Sequence, residues 1–448
     1  MGDVSGRRRR RGRRGASNVA SLHAYRALPA QLDALTANSK EDRSGHDHGG
    51  EPIDSSGKLR FIEGMRGAAA LYVALGHLCS MVDPAKMVGL NDASPELMKR
   101  FVSCFAYGHL AVAIFIVISG FSLQLSLFTS GDGTLKRVGR FYSRRARRIL
   151  PTYYACLASS LAVAWFITPQ LVTRYHAPFS MYLPVSAATF WSHLFLIHNW
   201  SPAWMYKING VLWSIGIEVQ LYVVFPLLVR GINRFGRVLI LGLSALAALV
   251  VLNYVAEAPK LYPWYVPLFV SGMVGANLAY RPHLRIGLLP GLALALSSVL
   301  VAAGVWSCSQ GTNLPVQDAL FGLAAASGMY AMAVKPMLWV ARGFRLRWLT
   351  FVGGFSYTLY LMHHPIEQVM YWLKPISTAG PEAVAYQFLV TLPVVILGTW
   401  LFSLVFEKPF MPKSSRAKAV AALGSEPEDG LPSLQERELV PGSGAVVI

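Results

Sequence analysis

The chain has 448 residues, of which 54% are hydrophobic and only 14% charged. Soluble domains carry about a quarter charged residues, so this composition excludes an ordinary water-soluble protein and points to burial in lipid, where charge is costly. The formal net charge of +18 does not indicate nucleic acid, because the basic residues cluster at the ends of apolar segments and not along an amphipathic surface.

Residues 1–60 are polar, with arginine at every position from 7 to 14 except Gly12. No apolar core follows the run, so it does not read as a cleaved signal peptide. It reads as a solvated, disordered tail, and its charge also suits anionic lipid at the cytoplasmic leaflet or a retention signal. His46-Asp47-His48 is weak evidence of a metal site in such a tail. The segment 411–448, rich in Pro, Gly, Ser and Glu, reads as a second disordered tail.

Between the tails, over 61–410, lie ten apolar segments of about the length a bilayer requires: 64–82, 108–128, 149–169, 209–230, 238–253, 264–280, 286–306, 316–334, 348–370 and 387–406. The apolar stretch 184–199 is shorter and interrupted, and reads as re-entrant or interfacial. The predicted fold class is therefore all-α, a polytopic transmembrane bundle of about ten helices. With the arginine run taken as cytoplasmic, the four internal loops hold 16 Lys and Arg in 46 residues, and the external loops 7 in 99. That asymmetry follows the positive-inside rule and places both tails in the cytoplasm. No internal repeat relates the two halves, which weakens a transporter reading. Cys79, Cys104, Cys156 and Cys308 have no metal-ligand spacing. They read as packing thiols, with one disulfide among Cys79, Cys104 and Cys308 as the alternative.

Ionisable side chains inside spanning helices are costly and usually functional. In the first segment Arg66 and His77 are eleven residues apart, which puts them within about 20° of one helix face and about 16 Å apart along the axis. Ala69, Ala70 and Val73 lie between them as a close helix contact or a channel wall. Glu63 is placed to pair with Arg66. Ser119-Gly120 in the second segment reads as a packing notch. Arg144, Arg145, Arg147 and Arg148 precede the third segment, whose helix is expected to start near Pro151. They are either positive-inside anchors or a phosphate-binding cluster. In the fourth segment Ser214, Glu218 and Tyr222 share one face, with Glu218 about 13 Å below the outer boundary. The ninth carries His363 and His364. Depth counting brings His77, Glu218 and His363 together in the outer half, with the arginines at the inner face. This division suits a phosphate-bearing donor held inside and acid–base chemistry deeper in the membrane.

These residues resemble the acyltransferase-3 family of membrane proteins that O-acylate sugars and other small molecules. Arg66 and His77 are similar to its Arg-x10-His signature, with Glu63 at its usual Asp. Phe115 to Phe121 resembles its aromatic-rich Ser-Gly-Phe segment, although Ile116 and Val117 stand where aromatic or leucine residues are commoner. Arg148-Ile149-Leu150-Pro151-Thr152-Tyr153 is similar to its Arg-Ile-x-Pro-x-Tyr motif, and Trp213-Ser214 with Glu218 and Tyr222 to its Trp-Ser-Leu…Glu…Tyr helix. Ser356 to His363 matches its Ser-Tyr-x-x-Tyr-Leu-x-His stretch and leaves His364 as an extra. The resemblance covers about 60–410.

The resemblance implies acyl-CoA, most often acetyl-CoA, as co-substrate, no permanently bound cofactor, and a hydroxylated acceptor, glycan or natural product. Arg66, Arg144, Arg147 and Arg148 would meet the CoA phosphates. His77 would act as general base, a role suited to the side chain that ordinarily titrates nearest neutrality, with Glu218 and His363 orienting groups. Direct transfer and an acyl-enzyme on His77 or Ser119 would both use this arrangement. A proton-coupled transporter would employ the same intramembrane residue types; a structural or sensory protein would not need them at matched depths.

Overall fold

The computed structural model describes residues 60–81, 95–129, 131, 133–175, 179–255, 257, 261–280, 289–336, 338–375 and 380–411. The Arg7–Arg14 run, His46-Asp47-His48 and the tail beyond residue 411 lie outside the described residues. The described residues form an all-α bundle without a strand. Its principal helices are α1 (Arg60–Ser80), α2 (Gly108–Thr129), α3 (Val138–Phe166), α4 (Trp213–Phe235) and α5 (Arg237–Tyr254). They are followed by α6 (Tyr265–Tyr280), α7 (Leu289–Ser309), α8 (Leu314–Val334), α9 (Ser356–Leu373) and α10 (Leu392–Phe406).

Each of the ten apolar segments overlaps one of these helices, but length and apolarity suffice for a membrane crossing in six stretches, those containing α2, α3, α4, α5, α7 and α10. α6 is apolar but short. The remaining three, α1, α8 and α9, carry Arg66 and His77, Asp318, and His363, His364 and Glu367. Polar residues lower their hydropathy, and α1 and α9 bury most of their length inside the protein. α5 and α7 are the opposite case: apolar around their circumference, they bury 6% and 11% of their apolar windows, as helices facing lipid do. The chain is thus an integral membrane protein with a polar-bearing interior and an apolar periphery.

Close backbone approach holds the interior together. A Cβ on Gly120 would lie 2.0 Å from the Phe269 carbonyl oxygen, and one on Gly272 2.1 Å from that of Val117. α2 and α6 therefore cross backbone to backbone, and even a methyl group at either site would force the helices apart. On α1 the same device receives the short helices after α8: Gly64 faces the Phe344 carbonyl and Gly353 that of Glu63, at 1.6 and 2.0 Å from the corresponding Cβ positions.

Three local features differ from the sequence reading. The helix expected to start near Pro151 already runs from Val138, with Pro151 inside it, so the arginines are helical and fan out around an axis. The ninth segment is divided between Arg347–Gly353 and α9. The chain just before α4 is folded into the protein interior: Asn209 is fully enclosed and donates to the Leu361 carbonyl and to Ser160 Oγ, both at 3.1 Å. Residues 184–199 break into a short helix, Ala187–Leu194, and a 3-10 turn, His198–Trp200. All four cysteines are free.

Candidate active site

The helical phase of α3 sorts its arginines. Phe141, Ile149, Thr152 and Cys156 are buried, and the face they mark carries Arg145 and Arg148 into a cavity shared with Arg66 of α1. Arg144 and Arg147, each one residue and about 100° before a cavity-facing arginine, are exposed. Arg145 lies 5.8 Å from the ring centre of Phe141 and 5.9 Å from that of Tyr222, and its buried Nε has no hydrogen-bond partner among the described residues. Arg66 forms no ion pair with Glu63 or any other described carboxylate.

Glu218 belongs to this arginine cavity, not to the depth of His77. The depth count failed because the chain ahead of α4 is already inside the protein. Ser119 Oγ donates to Glu218 Oε1 at 3.1 Å, Tyr222 donates to the same oxygen, and the two hydroxyls are 2.8 Å apart. Gly120 is the packing notch, and Ser119 faces α4. Glu218 lines the cavity and buried Glu407 also acts on Arg66 and Arg148; three guanidiniums against two carboxylates leave it electropositive, with fork-shaped donors suited to phosphate.

His77 and His363 do come together, with ring centres 5.1 Å apart. His77 Nδ1 lies 3.0 Å from the Val73 carbonyl, and His363 Nδ1 2.9 Å from that of Leu359. A carbonyl only accepts, so the network assigns the proton to Nδ1 in both rings. His363 Nε2 is then an acceptor, 3.3 Å from His77 Nδ1, and shares its proton. His77 Nε2 is left with a free lone pair on a ring that lines a second cavity. This is the arrangement a general base requires: one nitrogen oriented, the other open.

His364, the extra residue after the motif, also reaches the pair: its ring centre is 5.3 Å from that of His77, because two successive side chains on α9 straddle one imidazole. Its nitrogens are occupied: Nε2 lies 2.9 Å from the Tyr182 hydroxyl and Nδ1 3.1 Å from Gln368 Nε2. Gln368 Oε1 in turn accepts from Thr168. His364 is thus tied into a structural network.

Val112 and Tyr360 line both cavities. The Tyr360 hydroxyl is 2.6 Å from Ser214 Oγ and donates to the Val211 carbonyl at 3.3 Å, so one aromatic side chain forms part of the partition. Val73 faces the second cavity, whereas Ala70 packs with Val352, Phe355 and Leu359; the small-residue stripe is both wall and contact. Arg145, named in the arginine cluster but left out of the set expected to meet the CoA phosphates, lines the cavity, and the buried stripe of α3 run backwards would have selected it. Among the described residues no group of three or more His, Cys, Asp or Glu side chains could hold a metal ion.

The acyltransferase-3 model, an acyltransferase domain, matches residues 59–407. The O-acetyltransferase OatA of Staphylococcus aureus (strain MRSA252) is 22% identical over 360 residues, covering 70% of this chain and 57% of that protein. The peptidoglycan O-acetyltransferase OatA of Listeria monocytogenes is 24% identical over 297 residues, 58% of this chain and 45% of the relative. The regulator of hypoxia-inducible factor 1 of Caenorhabditis elegans is 29% identical over 195 residues, 41% and 36% of the two chains. The chain thus spans less than two thirds of the length of these relatives. No solved structure matches. With the family model covering most of its length, the chain belongs to the acyltransferase-3 family.

Proposed function

We propose that the chain is an integral-membrane O-acyltransferase that moves an acyl group, acetyl above all, from acyl-CoA to a hydroxyl of a carbohydrate or small-molecule acceptor. The observation that carries this reading is the open Nε2 of His77, oriented by Val73 and His363, in a cavity separated by Tyr360 and Val112 from one lined by three arginines. The names of the two OatA relatives support acetyl as the group transferred, and that of the Listeria protein supports a glycan acceptor.

In the proposed reaction Arg66, Arg145 and Arg148 bind the CoA phosphates, and the pantetheine arm passes between Val112 and Tyr360 with its thioester toward His77. His77 Nε2 takes the proton of the acceptor hydroxyl as its oxygen attacks the thioester carbonyl. The tetrahedral intermediate collapses, the C–S bond breaks, and the thiolate takes the proton back from the imidazolium. His363 Nε2 and the Val73 carbonyl hold the Nδ1 proton throughout and stabilise the transient cation. Glu218 fixes Ser119 and Tyr222 on the donor side.

Membranes carrying the protein, incubated with acetyl-CoA radiolabelled in the acetyl group, are expected to incorporate label covalently into a hydroxylated acceptor. Label carried across the membrane without covalent incorporation would support a transporter and defeat the reading. The orientation is proposed from the loop charges: tags on both tails should react only from the cytoplasmic side and a tag in the 170–208 loop only from outside. Tails on opposite faces would overturn it.

A further inference from the structure

The cavity that His77 lines contains a second held imidazole, which the proposed reaction does not use. His109, in the first turn of α2, places Nδ1 2.8 Å from Oδ1 of Asp318 on α8. Asp318 is completely buried, and its Oδ2 accepts from Trp264 Nε1 at 2.8 Å. An indole N–H can only donate, and a buried carboxylate is tolerable only when its oxygens are satisfied. The two N–H groups do this. Committing Nδ1 to Asp318 leaves Nε2 of His109, a side chain 19% exposed, as the polar atom for the cavity, with no protein hydrogen bond there among the described residues. A tie between α2 and α8 alone would require no second face. The same cavity is lined by the rings of Tyr206, Trp213 and Tyr360, which supply apolar surface but few polar groups.

We propose that His109 is a further acceptor-binding residue, hydrogen-bonding a hydroxyl other than the one His77 deprotonates, with Asp318 as its positioning residue. A hydroxyl both donates and accepts, so it satisfies Nε2 in either protonation state of the ring. The role rests on the acyltransferase reading but makes a separate demand on the acceptor: a lone alcohol lacks the second contact.

Diethyl pyrocarbonate footprinting of the full-length protein in liposomes, read by mass spectrometry, tests this with defined probes. His109 is expected to be carbethoxylated, to be protected by glycerol, glucose or N-acetylglucosamine, and to be unaffected by cyclohexanol. Asp318→Asn should weaken that protection about tenfold in probe concentration, the scale of one hydrogen bond, because an amide oxygen can accept from His109 or Trp264 but not hold both as the carboxylate does. Adding Trp264→Phe removes the competing donor and should restore protection. An inert His109, or one modified equally with and without every polyol, overturns the proposal, and the wild-type protein alone decides this even if Asp318→Asn fails to fold. Protection of His77 by acetyl-CoA is followed in the same samples. Its loss would count against the acyltransferase reading, whereas its retention without polyol protection at His109 would count against this proposal alone.

Discussion

Replacing His77 with alanine is expected to lower turnover by about 10²–10⁴, the usual contribution of a general base, while membrane insertion and acyl-CoA binding persist. The half-buried ring of His77 has one nitrogen fixed by Val73 and His363 and the other open to the cavity. Removing it takes away the atom that accepts the acceptor's proton, and His363 is poorly placed to replace it, being fully buried and outside the lining of the cavity. His363→Ala leaves the base in place but unsteadied, held by Val73 alone, so its loss should be smaller. His364→Ala should cost least in chemistry, because both its nitrogens serve Tyr182 and Gln368, although its ring also packs against His77. Turnover per inserted molecule for the three variants decides the assignment. Near-wild-type turnover in His77→Ala together with loss in His364→Ala would move the base to α9.

Much of this pair was legible in the sequence, and the reason is geometric. Arg66 and His77 sit on one continuous helix, where eleven residues fix both angle and rise, and α9 carries His363 with a similar count from its outer end. Counting failed where the chain did not run as a helix from the membrane face. Glu218 was placed by distance from residue 209, but that stretch is buried with Asn209 bonded to α9, so the true position lies with the arginines. The choice among the four arginines failed for a related reason. A helix start at Pro151 made them a loop, whereas a helix from Val138 gives them a phase. His109 and Asp318 are 209 residues apart, and no local pattern joins them. The lone carboxylate inside the apolar α8 was the available signal, because such a group requires a partner.

Arg145→Ala and Arg148→Ala are each expected to weaken acyl-CoA binding by about 1.5–3 kcal/mol, the worth of a hydrogen bond to a charged group, or about 10–150-fold in Kd. Both line the arginine cavity with Arg66. Arg144→Ala and Arg147→Ala, at exposed positions, should change affinity by no more than about twofold, as surface substitutions usually do. The contrast matters more than any one value, because positive-inside anchoring would treat all four arginines alike. Arg145→Lys separates charge from shape: it keeps the cation but loses the planar fork and its stacking against Phe141 and Tyr222, so it should recover only part of the affinity. The paired variant should lose less than the sum of the single losses, since removing one of three neighbouring cations relieves repulsion on the others. Equilibrium binding of labelled CoA to the protein in liposomes, corrected for inserted protein, measures each term. Equal losses from Arg144→Ala and Arg145→Ala, or loss of inserted protein in place of affinity, would show that these side chains anchor the helix and that the donor binds elsewhere.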